Sequence, residues 1–284
     1  MDVEQQYIEN VDKLIPRPDI ALEVLTLTHD ASSDASALAK KIEKDPNLTA
    51  NMLRMANSAY FGHMREITSV REIIVRLGYD MVKILAITSA SSGLLNSPQE
   101  AYNLEPYDLW HHSQACAMLA SIIAKYAHVE DVAPVYTAAL LHDIGKVLLN
   151  KALQTAISST KVDEKFSSLV KLENFMLQTD HAKVGMALLQ KWGLPDNIVM
   201  PVGNHHTTGT EETELIDSQI VYLANYLVES IGIRALRAED YMFKIDDFPD
   251  IPHELPDIPN FQENMEAIMD EFFNQLNETT DIRV

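Results

Sequence analysis

Two ionisable side chains stand side by side in an apolar run: His142 and Asp143 in "LLHDIGK", Leu140 to Lys146. Neutral imidazole and carboxylate are ligands suited to divalent transition metals, and the same pair can move protons. Seven of the ten histidines fall between His111 and His206. They come as the pair His111/His112, then His128, His142, His181 and the pair His205/His206. Histidines brought to one point by separate helices are how a helical bundle builds a metal site. Taken singly, each also has a plain structural reading as a hydrogen-bonded core residue, and for His181 alone that reading leads.

The elements that must position these side chains read as helices throughout. The chain has 284 residues and only nine glycines, and no period-two strand pattern stands out. In "DPNLTANMLRMANSAYF", Asp45 is the expected N-cap and Pro46 the first helical residue. "SVREIIVRLG" opens on a Ser69/Glu72 capping box and closes at Gly78. From Asp108 to Tyr126, His112, Cys116, Leu119 and Ile123 recur at helical spacing. This favours His112 over His111 as the inward residue, and His128, past the helix end, reads as surface. His181, Gly185, Leu188 and Trp192 repeat the pattern until "GLP" at 193–195 stops it. A helix from Asp196 to His206 contains Pro201 and is expected to kink there. Another covers Leu215 to Ile231. Periodicity does not choose between His205 and His206.

The expected organisation is an all-α, multi-helix bundle in three parts: an N-terminal helical subdomain (1–100), a histidine-bearing helical subdomain (101–235) and a C-terminal segment (236–284). "NSPQEAYNLEP" reads as the loop between the first two. The last part joins an acidic, proline-rich connector, "DDFPDIPHELPDIP", to an amphipathic helix with Phe261, Met265, Ile268, Met269, Phe272 and Leu276 along one side. That helix either caps the core, the favoured reading, or docks on a partner.

Composition narrows the partners. Hydrophobic residues make up 46% of the chain and the formal net charge is −20. Such a field repels phosphate backbones and anionic lipid, so neither nucleic acid nor membrane is an expected partner. A small phosphorylated ligand or nucleotide remains compatible, because a local metal or lysine outweighs a distant field. The single cysteine, Cys116, excludes an intrachain disulfide. No signal-like start and no run of about 18 apolar residues is seen. A cytoplasmic protein is expected.

Several stretches in order carry a family resemblance: "LIPRPDIALEVLTL", "KDPNLTANMLRMANSAYFG", "ITSVREIIVRLG", "LWHHS", "ALLHDIGK", "HAKVGMALLQKWGLP" and "NHH". From about Leu14 to Leu227 the chain resembles the HDOD family, the HD-related output domain branch of the HD phosphohydrolase superfamily. The parent enzymes bind divalent metal through histidine and aspartate and cleave phosphate esters with a metal-activated water. The resemblance implies a bundle of HD-domain type and His112, His142 and Asp143 as metal ligands. His181 and one or both of His205 and His206 match further ligands of the HD-GYP branch. It implies a divalent cofactor among manganese, iron, nickel, zinc and magnesium.

Two departures bear on activity. Where an aspartate is the expected last ligand, "VYLANYL" places Asn225, which offers an oxygen without negative charge. The stretch after the paired histidines is "TTGTEETEL" and carries no "GYP", so cyclic-dinucleotide hydrolysis is not expected. Asp143 and Lys146 are the candidate catalytic residues. Lys146, one turn beyond His142, either meets a substrate phosphate or is a solvated lysine at a helix end. Glu173 could orient a ligand histidine but reads first as a surface glutamate. Two functions stay open: a metal-dependent phosphohydrolase, or a non-catalytic signalling domain that binds a protein partner and keeps a structural metal or none.

Overall fold

The computed structural model describes residues 3–9, 19–27, 35–57, 66–159, 165–207, 215–236, 244–245 and 258–278. Thirteen α-helices make up nearly all of these residues: α1 (Val3–Ile8), α2 (Asp19–Leu27), α3 (Ala35–Ile42), α4 (Pro46–Ala56), α5 (Val70–Leu95), α6 (Asp108–Tyr126), α7 (Val132–Leu141), α8 (Ile144–Ser159), α9 (Leu169–Leu177), α10 (His181–Trp192), α11 (Asp196–Asn204), α12 (Ile216–Ser230) and α13 (Phe261–Glu278). A two-residue parallel pair, Lys165–Phe166 beside Lys244–Ile245, is extended structure that the sequence pattern did not announce.

Local chemistry sets the helix ends. Asp45 Oδ1 accepts from the backbone N–H groups of Asn47 (2.9 Å) and Leu48 (3.1 Å), with Pro46 in the first turn. Ser69 Oγ accepts from Glu72 N, and Glu72 Oε2 reaches back to Thr68 N. These contacts satisfy donors that a helix start leaves orphaned. Gly78 breaks α5 into two segments because its φ of +83° is a conformation that side chains with a Cβ resist. Gly193 ends α10 the same way, as "GLP" implied. Helix α11 runs through Pro201 to Asn204, with His205 as its C-cap.

Helix α6 is the axis of the histidine-bearing half. It is buried on nearly every side because α7, α12 and α13 all pack against it. The N-terminal helices α2, α3 and α4 gather on α5, which lies on α7, and one apolar core runs through both halves. Helix α1 straps α10: Thr179 Oγ1 donates to Glu4 Oε1 and Lys191 Nζ to the carbonyl of Ile8.

Four expectations are refined or corrected. Residues 132–159 include a window with mean hydropathy 1.3, long and apolar enough by composition to cross a membrane. Its buried share is 72%, and the stretch is two core helices broken at His142 and Asp143. "NSPQEAYNLEP" holds a 3-10 turn, Glu100–Tyr102, whose tyrosine is fully buried. On α13, Phe261, Ile268, Phe272 and Leu276 are buried against the core, but Met265 is 48% exposed. The fourth concerns Glu173 and Lys146, treated with the site. Most of the acidic connector lies outside the described residues.

Candidate metal centre

His142 and Asp143 occupy the turn between α7 and α8, where the chain leaves one buried helix and enters the next. The glycine after them explains why this turn can reach α10. A Cβ at Gly145 would stand 2.0 Å from the carbonyl oxygen of His181 and 2.9 Å from the nitrogen of Gly185. Backbone thus packs on backbone, and His181, the first residue of α10, comes to lie beside Asp143.

The polar atoms converge in two groups joined by one carboxylate. In the first, Nε2 of His112 lies 3.1 Å from Nε2 of His142 and 3.5 Å from Sγ of Cys116. In the second, Nε2 of His181 lies 3.2 Å from that of His205 and 2.9 Å from that of His206. Asp143 reaches both. Its Oδ2 is 3.4 Å from His142 and 3.7 Å from His112, while its Oδ1 is 3.2 Å from His181 and 3.7 Å from His205.

The outer nitrogens fix the tautomers. Nδ1 of His112 donates to the carbonyl of Ile233 (2.8 Å), that of His142 to Ala139 (2.6 Å) and that of His205 to Val202 (2.6 Å). With the proton on Nδ1, each neutral ring turns a bare Nε2 lone pair inward. Burial holds these rings neutral. It depresses His112 to about 4, against the pull of Asp143, and lowers His142 and His205 in the same way. Two bare lone pairs 3.1 Å apart in a buried site repel, and a cation held between them turns that repulsion into attraction. Asp143 Oδ1 is buried outside good hydrogen-bond geometry, with only the His181 and His205 rings beside it at 3.2 and 3.7 Å, and a cation would satisfy it too.

His181 differs. Burial works against its charged form, but the Glu173 carboxylate outweighs it and raises the ring to about 9. Glu173 is fully buried, not a surface residue. Its Oε2 accepts from Nδ1 of His181 (2.6 Å) and from the backbone N–H of the same residue (3.0 Å), and its Oε1 accepts from the Tyr102 hydroxyl (2.8 Å). Lys146 is likewise buried and not solvated. Its ammonium donates to Asp143 Oδ2 (2.8 Å) and to the carbonyl of Ala235 (3.2 Å). Burial raises Asp143, but Lys146 and the imidazoles more than reverse this and keep it an anion.

The separations fit a metal. Ligand atoms about 2.0–2.2 Å from a four-coordinate zinc stand roughly 3.3–3.6 Å apart, close to those between the facing atoms here. Imidazole, carboxylate and thiol are also the donor set of a borderline divalent ion. His112, His142, Asp143, His181 and His205 are brought together as the sequence implied, and His206 joins them at the rim, so both members of that pair face the centre. Asn225 is buried, but its Oδ1 lies on the Cys116 side, 3.9 Å from Sγ. His111 stacks on Tyr107 away from the site, and His128 is exposed at a left-handed helix end.

Sequence reasoning missed Cys116 and Tyr102 as neighbours of the site. The face shared by His112 and Cys116 was the signal for the first; nothing local announced the second. Glu229, one turn beyond Asn225, was also missed. Burial raises it to about 7, against the pull of Lys146.

Comparison with known proteins agrees with this architecture. An HDOD domain structure from Geobacter sulfurreducens, of unknown function, superposes with a TM-score of 0.71 at 23% identity, covering 98% of this chain and 97% of that one. A Shewanella amazonensis SB2B structure, described as a candidate phosphohydrolase, gives 0.66 at 20% identity over 97% and 94%. An uncharacterized protein of Treponema pallidum (strain Nichols) is 25% identical over 201 residues, 70% of this chain but only 38% of that longer protein. The HDOD domain profile matches residues 14–208, well over half of the sequence. This chain therefore belongs to the HDOD domain family.

Proposed function

We propose that the chain holds divalent transition metal at the centre bridged by Asp143 and hydrolyses a phosphate ester of a small molecule, such as a nucleotide. The observation that carries this is the convergence of Nε2 lone pairs whose outer nitrogens are already committed to carbonyls. His112 and His142 would hold metal on one side of Asp143, and His181, His205 and His206 on the other. Bound there, a dication supplies Lewis acidity at a phosphoryl oxygen and lowers the pKa of the attacking water. Asp143, held as an anion by Lys146, lends charge to both sides. Glu173 aims His181 and makes its ring more basic. The Lys146 ammonium keeps the carboxylate from turning away.

A second reading is favoured by two observations. Asn225 removes a carboxylate, and Lys146 is engaged by Asp143 and Ala235 instead of facing open space. Both suit a signalling domain in which the metal orders the fold and a protein partner reads the surface.

Metal content of the full chain, purified without added metal beside His142→Ala, tests the first reading. Metal near or above one equivalent is expected in the wild type, with a clear loss in the variant. If neither carries metal, and manganese or nickel leaves the melting temperature unmoved, the metal centre is refuted. A panel of phosphate mono- and diesters then separates the readings: turnover that fails in His142→Ala supports hydrolysis, and a metal-loaded but inert protein supports the signalling role.

A further inference from the structure

The Asn225 side of the centre lacks the carboxylate that the resemblance implies. Resting on the metal-centre reading above, we propose that Cys116 is itself a metal ligand, its thiolate joining His112 and His142 and supplying the negative charge that Asn225 cannot. The sulfur lies one helical turn along α6 from His112, on the same buried face, and is fully enclosed. The Nε2 lone pairs of His112 and His142 face each other at 3.1 Å, and the single thiol proton, 3.5 Å from His112 Nε2, can meet only one of them; this is the independent sign that something cationic belongs beside the sulfur.

Geometry supports the assignment. In a tetrahedral zinc site, with nitrogen at about 2.0–2.1 Å and sulfur at about 2.3 Å, nitrogen–nitrogen and nitrogen–sulfur separations are roughly 3.3 and 3.6 Å. The separations here are 3.1 Å between the two imidazole nitrogens and 3.5 Å from His112 Nε2 to Sγ. All three ligand atoms lie within 4.8 Å of one another.

Charge supports it as well. On this side the imidazoles and Asn225 are neutral, Asp143 already faces the Lys146 ammonium, and the other carboxylate felt at Cys116, Glu229, makes no contact with the sulfur among the bonds and ion pairs described. A dication placed there would be a poorly compensated buried charge, which is costly. Binding through sulfur removes that cost: the S–H bond breaks, a metal–sulfur bond forms and the proton leaves to solvent. The asparagine then also fits. A carboxylate at position 225 would set a second anion about where Oδ1 now stands, 3.9 Å from the sulfur, whereas an amide can turn its N–H toward a thiolate. A sulfur ligand shifts preference toward zinc, iron, cobalt or nickel and away from magnesium and manganese.

Cobalt(II) is the probe. The metal-stripped, reduced full chain is titrated anaerobically with cobalt and followed by absorption, beside Cys116→Ala and Cys116→Ser. The expected result is a near-ultraviolet sulfur-to-cobalt charge-transfer band in the wild type that both variants lack. The visible bands of cobalt held by His181, His205 and His206 should persist in both. Zinc X-ray absorption on the wild type should show a sulfur scatterer at about 2.3 Å. Cobalt bound without the charge-transfer band overturns the role of Cys116 and leaves the histidine centre standing. No cobalt bound at all overturns the metal centre, and the inference with it.

Discussion

Glu173 and His181, eight residues apart, meet twice: Oε2 of the glutamate accepts from both the backbone N–H and the ring Nδ1 of the histidine. One carboxylate thereby fixes the start of α10 and the direction of a ring. Glu173→Gln keeps the size and an acceptor but removes the charge. The His181 titration, read by NMR on the metal-free protein, should fall from about 9 to below the ordinary value of 6.5, because burial then acts without the charge that outweighed it. Zinc or cobalt affinity should fall about tenfold to a hundredfold, the usual effect of losing such a partner. An unchanged titration would show that the two side chains are not paired in solution.

Gly145 offers a test of the helix contact that assembles the site. A methyl group there meets backbone of His181, which cannot rotate away. Gly145→Ala should cost about 1–3 kcal/mol in urea unfolding and weaken metal retention. Gly93, exposed near the end of α5 with nothing within 4 Å of its would-be Cβ, is the control. There the same substitution should be neutral or stabilise by up to about 1 kcal/mol.

Acid should weaken the metal-free fold. His112 titrates at about 4 when folded against an ordinary 6.5, so its contribution is complete above about 6.5 and is lost as pH falls through about 4. A shift of that size corresponds to about 3 kcal/mol. His142 and His205 are lowered too and add in the same direction. His181 is raised, so it contributes fully throughout this window and weakens only as pH rises toward 9. Urea midpoints of chelator-treated protein should therefore drop steadily between pH 6.5 and 4. A flat profile would mean that these rings are not buried neutral.

Helix α13 separates core from surface on one element. Phe272 is fully buried and the helix rests on α6, the carrier of His112. Phe272→Ala should cost about 3–5 kcal/mol. Met265, half exposed on the same helix, should tolerate Met265→Ser within about 0.5 kcal/mol. Equal costs in thermal unfolding would contradict the packing described.

The sequence by itself determined the all-α class, several helix ends and the inward side of α6. Those depend on caps, glycine positions and apolar spacing, which act within a few residues. Through resemblance it also pointed to the histidines and to Asp143. It misjudged Glu173 and Lys146, and it passed over Tyr102 and Cys116 as neighbours of the site. The reason is physical. Whether a charged side chain is buried depends on a partner that arrives from elsewhere in the chain, and Tyr102 reaches Glu173 across 71 residues. Only the tertiary structure decided that both His205 and His206 face the centre, through the packing of α11 on α7 and α10 around the His181 that the close approach at Gly145 sets beside Asp143. Packing of α12 against α6 likewise decided that Asn225 meets a sulfur atom.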